Sequence, residues 1–446
     1  MTLAVSPSTG LFLAILLSAA PDLRAADLWQ ALSSGKPDLH LRYRFEAVDD
    51  NRLPRVSEAH ANTLRTALGY STGLFHGFGA QLQIEDVRVV DDDTFADGGA
   101  NGVTDRATVV DPAGTEIQQA KLRYRGLPRT TLWIGRQEIE HRVAPLHRYL
   151  GNILWRQNWQ TFDALRVVND SLPATHVDYA YIWNVNRVFG EDNPLADRSD
   201  FRSDSHALNI SYAGFPWGRL ETYAYLLNFD SREPGTRALG TATGGLRLQG
   251  QRALGTRAAK LLYTMDYARQ TDRKDNPADI GVNYAFGELG LQQAGPWPWL
   301  ESLTIKAAGE LLEGDGPQAV PGGRVARAFQ TPLGTNHAFQ GWADRFLLTP
   351  ADGIVDLSGT VIAMLHGAQL MLTYHDFDAD RDGYAYGTEW DVQLTRVFRE
   401  HYTGGLKYAA YDADRNALNL ARNGATSSGR QAFDLNVFWA WVEVRF

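Results

Sequence analysis

The stretch Leu39-His40-Leu41-Arg42-Tyr43-Arg44-Phe45-Glu46 decides how this chain folds. Leu39, Leu41, Tyr43 and Phe45 fall on one side of an extended backbone, and His40, Arg42, Arg44 and Glu46 fall on the other. Alternation with period two is the signature of a strand with one apolar and one polar face. Outward from this stretch the pattern recurs to the end of the chain. Leu64, Leu68 and Tyr70 alternate with Thr63, Arg65 and Ala67; Leu122 and Tyr124 alternate with Lys121, Arg123 and Arg125. Leu303 and Ile305 alternate with Thr304 and Lys306, and Trp390, Val392 and Leu394 alternate with Glu389, Asp391, Gln393 and Thr395. Trp133–Gln137 and Phe162–Val168 mix the two faces and take no orientation from the sequence.

About eighteen such segments are predicted. They lie near 38–48, 60–71, 77–88, 115–126, 129–138, 161–170, 175–185, 204–213, 217–229, 241–251, 257–271, 280–293, 301–313, 354–364, 367–377, 386–398, 401–412 and 431–446. Many are longer than the usual soluble strand of about five or six residues and suit a tilted membrane-crossing strand of about nine to eleven. Their connections sort into two classes. Those after even-numbered segments are short and rich in Gly and Pro, as in Gly126-Leu127-Pro128, Ser171-Leu172-Pro173, Gly214-Phe215-Pro216 and Gly295-Pro296-Trp297-Pro298. Those after odd-numbered segments are mostly long, above all near 89–114 and 314–353. A meander with one tight rim and one elaborated rim describes a transmembrane barrel with short periplasmic turns and long extracellular loops. Closure follows because no sheet edge can be left unpaired in lipid. The predicted fold is therefore all-β: a single antiparallel transmembrane barrel of about eighteen strands over 26–446, wide enough for an aqueous channel whose inward charges are solvated.

Composition agrees. The chain has 446 residues, 44% hydrophobic, which excludes a disordered chain. Mean hydropathy is negative, and no apolar run long enough for a membrane helix occurs outside the N-terminal segment. There is no Cys, so disulfide frameworks and thiolate metal sites are excluded. The net charge of −9 and the lack of a basic run speak against a nucleic-acid partner. Leu11–Ala20 reads as the apolar core of a signal peptide, with cleavage expected after Ala25. At the other end Phe438, Ala440, Val442, Val444 and Phe446 form an apolar face against Trp439, Trp441, Glu443 and Arg445. A last strand ending in Phe resembles the signal read by the barrel-assembly machinery of bacterial outer membranes, which makes that machinery an expected partner, beside outer-membrane lipid and lipopolysaccharide.

Several motifs carry a family resemblance. They are Gly135-Arg136-Gln137, Trp155-Arg156-Gln157-Asn158, Thr161-Phe162-Asp163-Ala164 and Asn186-Arg187-Val188-Phe189-Gly190-Glu191-Asp192. Downstream come Ala328-Phe329-Gln330-Thr331-Pro332, Gly341-Trp342-Ala343-Asp344 and Tyr374-His375-Asp376-Phe377. With these the chain resembles the alginate-export family of outer-membrane barrels over nearly all of its mature length. The resemblance implies an eighteen-stranded porin-like barrel with an arginine-lined lumen that passes an anionic polysaccharide, and it adds Arg136 and Asp163 to the candidate lumen residues.

The residues themselves give four candidate sites. Arg42, Arg44, Arg65, Lys121, Arg123, Arg125, Lys306, Lys407 and Arg445 fall on polar faces, where a ladder of cations would concentrate anions. Glu46, Glu85, Glu310, Glu389, Asp391 and Glu443 share those faces, so a wall without selectivity is the competing reading. The basic, aromatic loop near 139–160 would bring Arg142, His147, Arg148 and Arg156 to a constriction if it folds inward, and would pack on the rim otherwise. The loop near 314–353 combines Trp342 with Asn336, His337, Gln340, Asp344 and Arg345, a composition suited to sugars or to packing on itself. Finally, Asp378, Asp380 and Asp382, with Gly383 and Glu389, match the spacing of a calcium loop without its flanking helices, so a structural calcium ion competes with a solvated acidic loop. No other cofactor is implied, and no nucleophile elbow, zinc-helix motif or phosphate loop is present. The chain reads as an outer-membrane channel for passive passage of hydrophilic, anionic saccharides or polysaccharides. The competing classes are a barrel enzyme such as a hydrolase and a soluble periplasmic polysaccharide-binding protein.

Overall fold

The computed structural model describes residues 27–52, 56–91, 94–144, 146–195, 197–255, 259–424 and 430–446. The expected signal segment lies outside them. Eighteen strands form one antiparallel sheet: β1 (Lys36–Asp50), β2 (Ala59–Ser71), β3 (Phe78–Val89), β4 (Gly114–Leu127), β5 (Thr130–Gln137), β6 (Thr161–Asn169), β7 (Thr175–Asn186), β8 (Asp200–Phe215), β9 (Gly218–Leu226), β10 (Thr241–Leu254), β11 (Ala259–Asp272), β12 (Gly281–Trp297), β13 (Leu300–Leu312), β16 (Ile354–Leu365), β17 (Ala368–Asp378), β18 (Ala385–Phe398), β19 (Tyr402–Ala413) and β20 (Leu435–Arg445). Each pairs with its neighbour in sequence, and β1 pairs with β20 from His40↔Arg445 to Asp50↔Leu435, so the sheet closes on itself. All eighteen predicted segments are strands of this barrel. The prediction missed a hairpin inside the longest loop, β14 (Gly314–Val320) with β15 (Gly323–Ala328), whose short Gly- and Pro-broken strands show no run of alternation.

The two rims differ as the sequence implies. One is made of turns such as 128–129, 216–217, 298–299 and 366–367. The other carries the connections 90–113, 138–160, 313–353 and 414–434. Both ends of the described barrel lie at the turn rim, where Leu39 and Phe446 exchange backbone hydrogen bonds of 3.0 and 2.9 Å.

The outer face is a continuous apolar surface. Leu68, Leu82, Leu122, Ile134, Leu246, Leu289, Ile305, Leu357 and Val442 all stand exposed on it. Leaving so much apolar area in water would be strongly unfavourable, and hydrocarbon removes that cost. Polar and aromatic groups bound the band. Toward the long-loop rim three outward Tyr–Asn pairs bridge adjacent strands: Tyr43–Asn62, Tyr267–Asn283 and Tyr408–Asn436, at 2.8–3.0 Å. Near the turn rim stand Tyr70, Trp217, Trp297, Trp299, Tyr402 and Phe446. Two aromatic girdles around an apolar band are what a membrane-crossing barrel requires.

Inside, the outcome differs from the expected water-filled lumen. Arg44, Arg65 and Glu389 are at most 1% exposed. In the half nearer the long-loop rim a packed core occupies much of the barrel, with Phe95, Tyr149, Leu150, Phe162, Phe329, Leu333 and Phe346 among the buried groups. Most of these come from connections folded into the lumen, which the strand pattern alone does not reveal.

The face assignment predicts an asymmetric response to charge. Leu122→Arg, on the outer wall opposite Ile134, should destabilise the folded barrel by roughly 2–4 kcal/mol if it sits near the midplane. Gln393→Glu, on the inner face opposite Lys407, should change stability little. Urea unfolding from lipid vesicles measures both; equal damage would contradict the assignment.

Candidate functional site

The constriction is built by two connections. Loop 138–160 leaves β5, enters the lumen and crosses it. At the β1 wall, Arg42 donates to the Gln157 side chain (2.8 Å) and to the carbonyls of Leu154 (2.7 Å) and Arg156. Arg44 donates to the Trp155 carbonyl and to Asp111, which comes from the connection 90–113. Arg156 pairs with Glu46 (3.3 Å) and with Asp344 (3.1 Å). Across the barrel Arg142 binds Glu221 of β9 (2.8 Å) and Asp266 of β11 (3.0 Å). Arg148 binds Glu310 of β13 and the Gln340 side chain (3.0 Å). Of the two readings of this loop, inward folding is the one realised.

Loop 329–353 folds in beside it. The amide of Trp342 donates to Asp391 (3.1 Å) and that of Ala343 to Glu389 (2.7 Å), so two inward carboxylates of β18 receive the loop's backbone. Gly341, at φ +75°, passes so close to Glu389 that a Cβ would lie 2.3 Å from its carboxylate oxygen. Only glycine fits that approach. The loops are joined by a parallel bridge between Leu150 and Leu333 and by Gln160, which donates to the carbonyls of Gly151 (2.8 Å) and Leu333 (3.1 Å).

Lys407 and Trp342, remote in sequence, meet where these elements converge. The Lys407 ammonium lies 3.8 Å from the Trp342 ring centre and 4.2 Å from that of Trp155, with Trp439 at 5.4 Å. A desolvated cation over an aromatic face is worth about 2 kcal/mol. Lys407 also donates to Nε2 of His337 (2.7 Å), while Nδ1 of His337 faces Asp344 (2.7 Å). The neutral imidazole with its proton on Nδ1 satisfies both contacts.

The predicted residues thus divide into groups. Arg42, Arg44, Arg142, Arg148, Arg156, Lys407 and Trp342 are brought together as the framework of the constriction. They are buried against protein and do not line open water, because the loops supply carbonyls and carboxylates for them. Arg65 is likewise covered, paired with Glu85 (2.6 Å) and set 3.7 Å from the Trp159 ring centre. Lys121, Arg123 and Arg125 follow one another down the inner face of β4 toward the turn rim, and Arg125 is exposed there. Among the described residues no carboxylate pairs with any of the three at ion-pair distance. On the facing wall Lys306 pairs with Glu288 (3.2 Å).

Two assignments need correction. Arg136 and Asp163 do not face the lumen. They pair with each other (3.0 Å) on the outer surface, in line with the exposed Ile134 and Leu165. Irregularities at Gly135, with φ +118°, and between Asp163 and Ala164 obscure the alternation in both stretches. The calcium spacing does not produce a site either. Asp380 accepts from the Gly314 amide (3.1 Å), Asp382 pairs with Arg422 (2.5 Å), and Glu389 points into the barrel toward Ala343. Among the described residues no cluster of three or more His, Asp or Glu is placed to hold a metal ion.

Sequence reasoning missed the carboxylates that receive the loops, Asp111, Glu221 and Asp266, and the tyrosine cluster of Tyr149, Tyr223 and Tyr284 around Arg142 and Arg148. Alternation could have placed Glu221 and Asp266 on inner faces, but nothing in the sequence names their partners.

Comparison with solved structures gives the same barrel. OccAB2 of Acinetobacter baumannii superposes with a TM-score of 0.68 at 14% identity, over 94% of this chain and 99% of that one. OccK9 (OpdG) of Pseudomonas aeruginosa gives 0.66 at 13% identity, over 93% and 100%. OpdK of Pseudomonas aeruginosa, solved with vanillate, gives 0.64 at 14% identity, over 93% and 99%. No protein-family model and no curated protein matches the sequence. The chain has the closed, eighteen-stranded barrel architecture of these outer-membrane porins; these likenesses show the fold and do not by themselves show the alginate-export family.

His337 gives the constriction a pH dependence. Burial dominates in lowering its pKa from 6.5 to about 3; Asp344 acts in the opposite direction, and Lys407 and Arg156 reinforce the lowering. Between those values the folded state binds fewer protons than the unfolded chain. The corresponding stability is present above pH 6.5 and is lost as pH falls toward 3. A second proton would also set an Nε2–H against the Lys407 ammonium. Single-channel current fluctuations should therefore grow between pH 7 and 4, and His337→Gln should reduce that growth, the remainder falling to the similarly buried His141 of the other inward loop. A wild-type trace unchanged over this range would refute the assignment.

Proposed function

We propose that this chain is a channel of the bacterial outer membrane that passes small hydrophilic anions passively, carboxylated saccharides being the favoured class. The observation that carries the reading is a closed, lipid-compatible barrel narrowed from within, with an unpaired cationic strip left on its inner wall. The long-loop rim would face outward and the turn rim the periplasm, as in transmembrane barrels generally. The strip of Lys121, Arg123 and Arg125 lies in the turn-side half of the lumen, below the level of the inward loops. Confined between low-dielectric walls, such a strip raises the local anion concentration. Arg suits carboxylates because its planar fork offers paired donors. One barrel of similar fold was solved with vanillate, itself a carboxylate, and the motif resemblance to alginate export points to uronates. The two docked loops favour small solutes over a polymer, since a polysaccharide would have to displace both.

Reversal potentials in a planar bilayer test this. The triple variant Lys121→Gln, Arg123→Gln, Arg125→Gln should shift toward cation preference in dilute salt. The shift should shrink in molar salt, where screening acts within about 3 Å. Arg44→Gln should instead raise current noise, because it loosens a loop anchor. A triple variant that folds normally and keeps the wild-type reversal potential would refute anion preference, and a barrel without conductance would refute the channel itself.

A further inference from the structure

Beside the closure seam the outer wall carries a groove. There the small residues Ala368, Gly404 and Ala440 leave an apolar groove of about 480 Å³, walled by Tyr43, Leu394, Phe398, Leu406 and Val442. The groove runs from the turn-rim girdle at Phe398 toward the Tyr43–Asn62 pair near the other girdle. At its turn-rim end stands Arg396, exposed, its guanidinium 5.0 Å from the Phe398 ring centre. No described carboxylate pairs with Arg396 at ion-pair distance.

We propose that this groove holds one phospholipid of the turn-side leaflet, an acyl chain lying in it and the phosphate on Arg396. The groove lies within the band that hydrocarbon must cover, so its floor suits a chain and excludes a polar solute. Its single cation sits at the level of the aromatic girdle, where lipid phosphates are found. A second copy of the chain fits less well, because apposing this wall to another apolar wall would bury Arg396 without a counter-charge.

The inference rests on the membrane-spanning reading, and its test separates the two. The full-length barrel is refolded into vesicles, its insertion is checked by heat-modifiable mobility, and retained lipid is measured by native mass spectrometry. The probes are dioleoyl phosphatidylglycerol and the phosphate-free dioleoyl glycerol. The wild type should retain one phosphatidylglycerol and bind the glycerol at least about tenfold more weakly, the scale of a charged hydrogen bond. Arg396→Ala should abolish that preference. Gly404→Leu should lose both lipids; a Cβ there meets only the Phe398 ring at 3.8 Å, so the side chain extends into the groove. An inserted wild type that retains no phosphatidylglycerol, a Gly404→Leu barrel that retains it undiminished, or a dimer that excludes it would overturn the proposal. Should Gly404→Leu fail to fold, an undiminished preference in Arg396→Ala overturns it alone.

Discussion

A sheet immersed in hydrocarbon can leave no backbone group unpaired, and this structure depends on how that constraint is met. The seam between β1 and β20 removes the last two edges. Once the sheet is closed, every strand has one face in lipid and one in the lumen, and the period of two becomes obligatory along the wall. A one-residue slip would carry Arg42 and Arg44 into hydrocarbon and Tyr43 into the interior. The charges of β1 therefore fix the register of the strand that closes the barrel.

Closure also creates an interior too wide for wall side chains to fill. Here the connections fill much of it, held by ion pairs and not by apolar contact alone. The desolvation cost of a buried ion pair offsets much of its attraction, so such pairs add little net stability. Removing one partner is another matter, at roughly 3–5 kcal/mol, because a charge is left buried and unpaired. Arg148 between Glu310 and Gln340, and Arg156 between Glu46 and Asp344, thus select one docked position for the loops and penalise near alternatives.

The fold was legible because its constraint is local. Each strand announces its two faces within a few residues, and the seam follows from counting. Alternation failed where bulges break it: Arg136 beside Gly135 and Asp163 on β6 lie outside, though their motif suggested the lumen. The constriction was legible only in part. The sequence marks loop 138–160 as basic and aromatic, but its destination depends on Glu221, Asp266 and Glu310, which lie on strands far along the chain. Spacing alone likewise suggested a calcium loop, but Asp380 is held at the rim by the Gly314 amide while register sends Glu389 into the lumen to receive the Ala343 amide.

These results change which charges matter to a solute. Counted along the polar faces, the arginines of β1 and β2 and those of loop 138–160 all qualify as pore lining. In place, Arg44, Arg65, Arg142, Arg148 and Arg156 are paired with carboxylates of the protein, and their fields are largely cancelled at short range, while Arg42 is buried against Gln157 and two loop carbonyls. The field in the lumen is then set by the cations left over. Among the described residues Arg123 and Arg125 on β4 have no carboxylate at ion-pair distance and Lys121 meets Glu138 only at longer range, whereas Lys306 on the facing wall is matched by Glu288. A barrel whose summed charge is −9 can in this way present a locally cationic path, because selectivity follows the unpaired charges near the path and not the total.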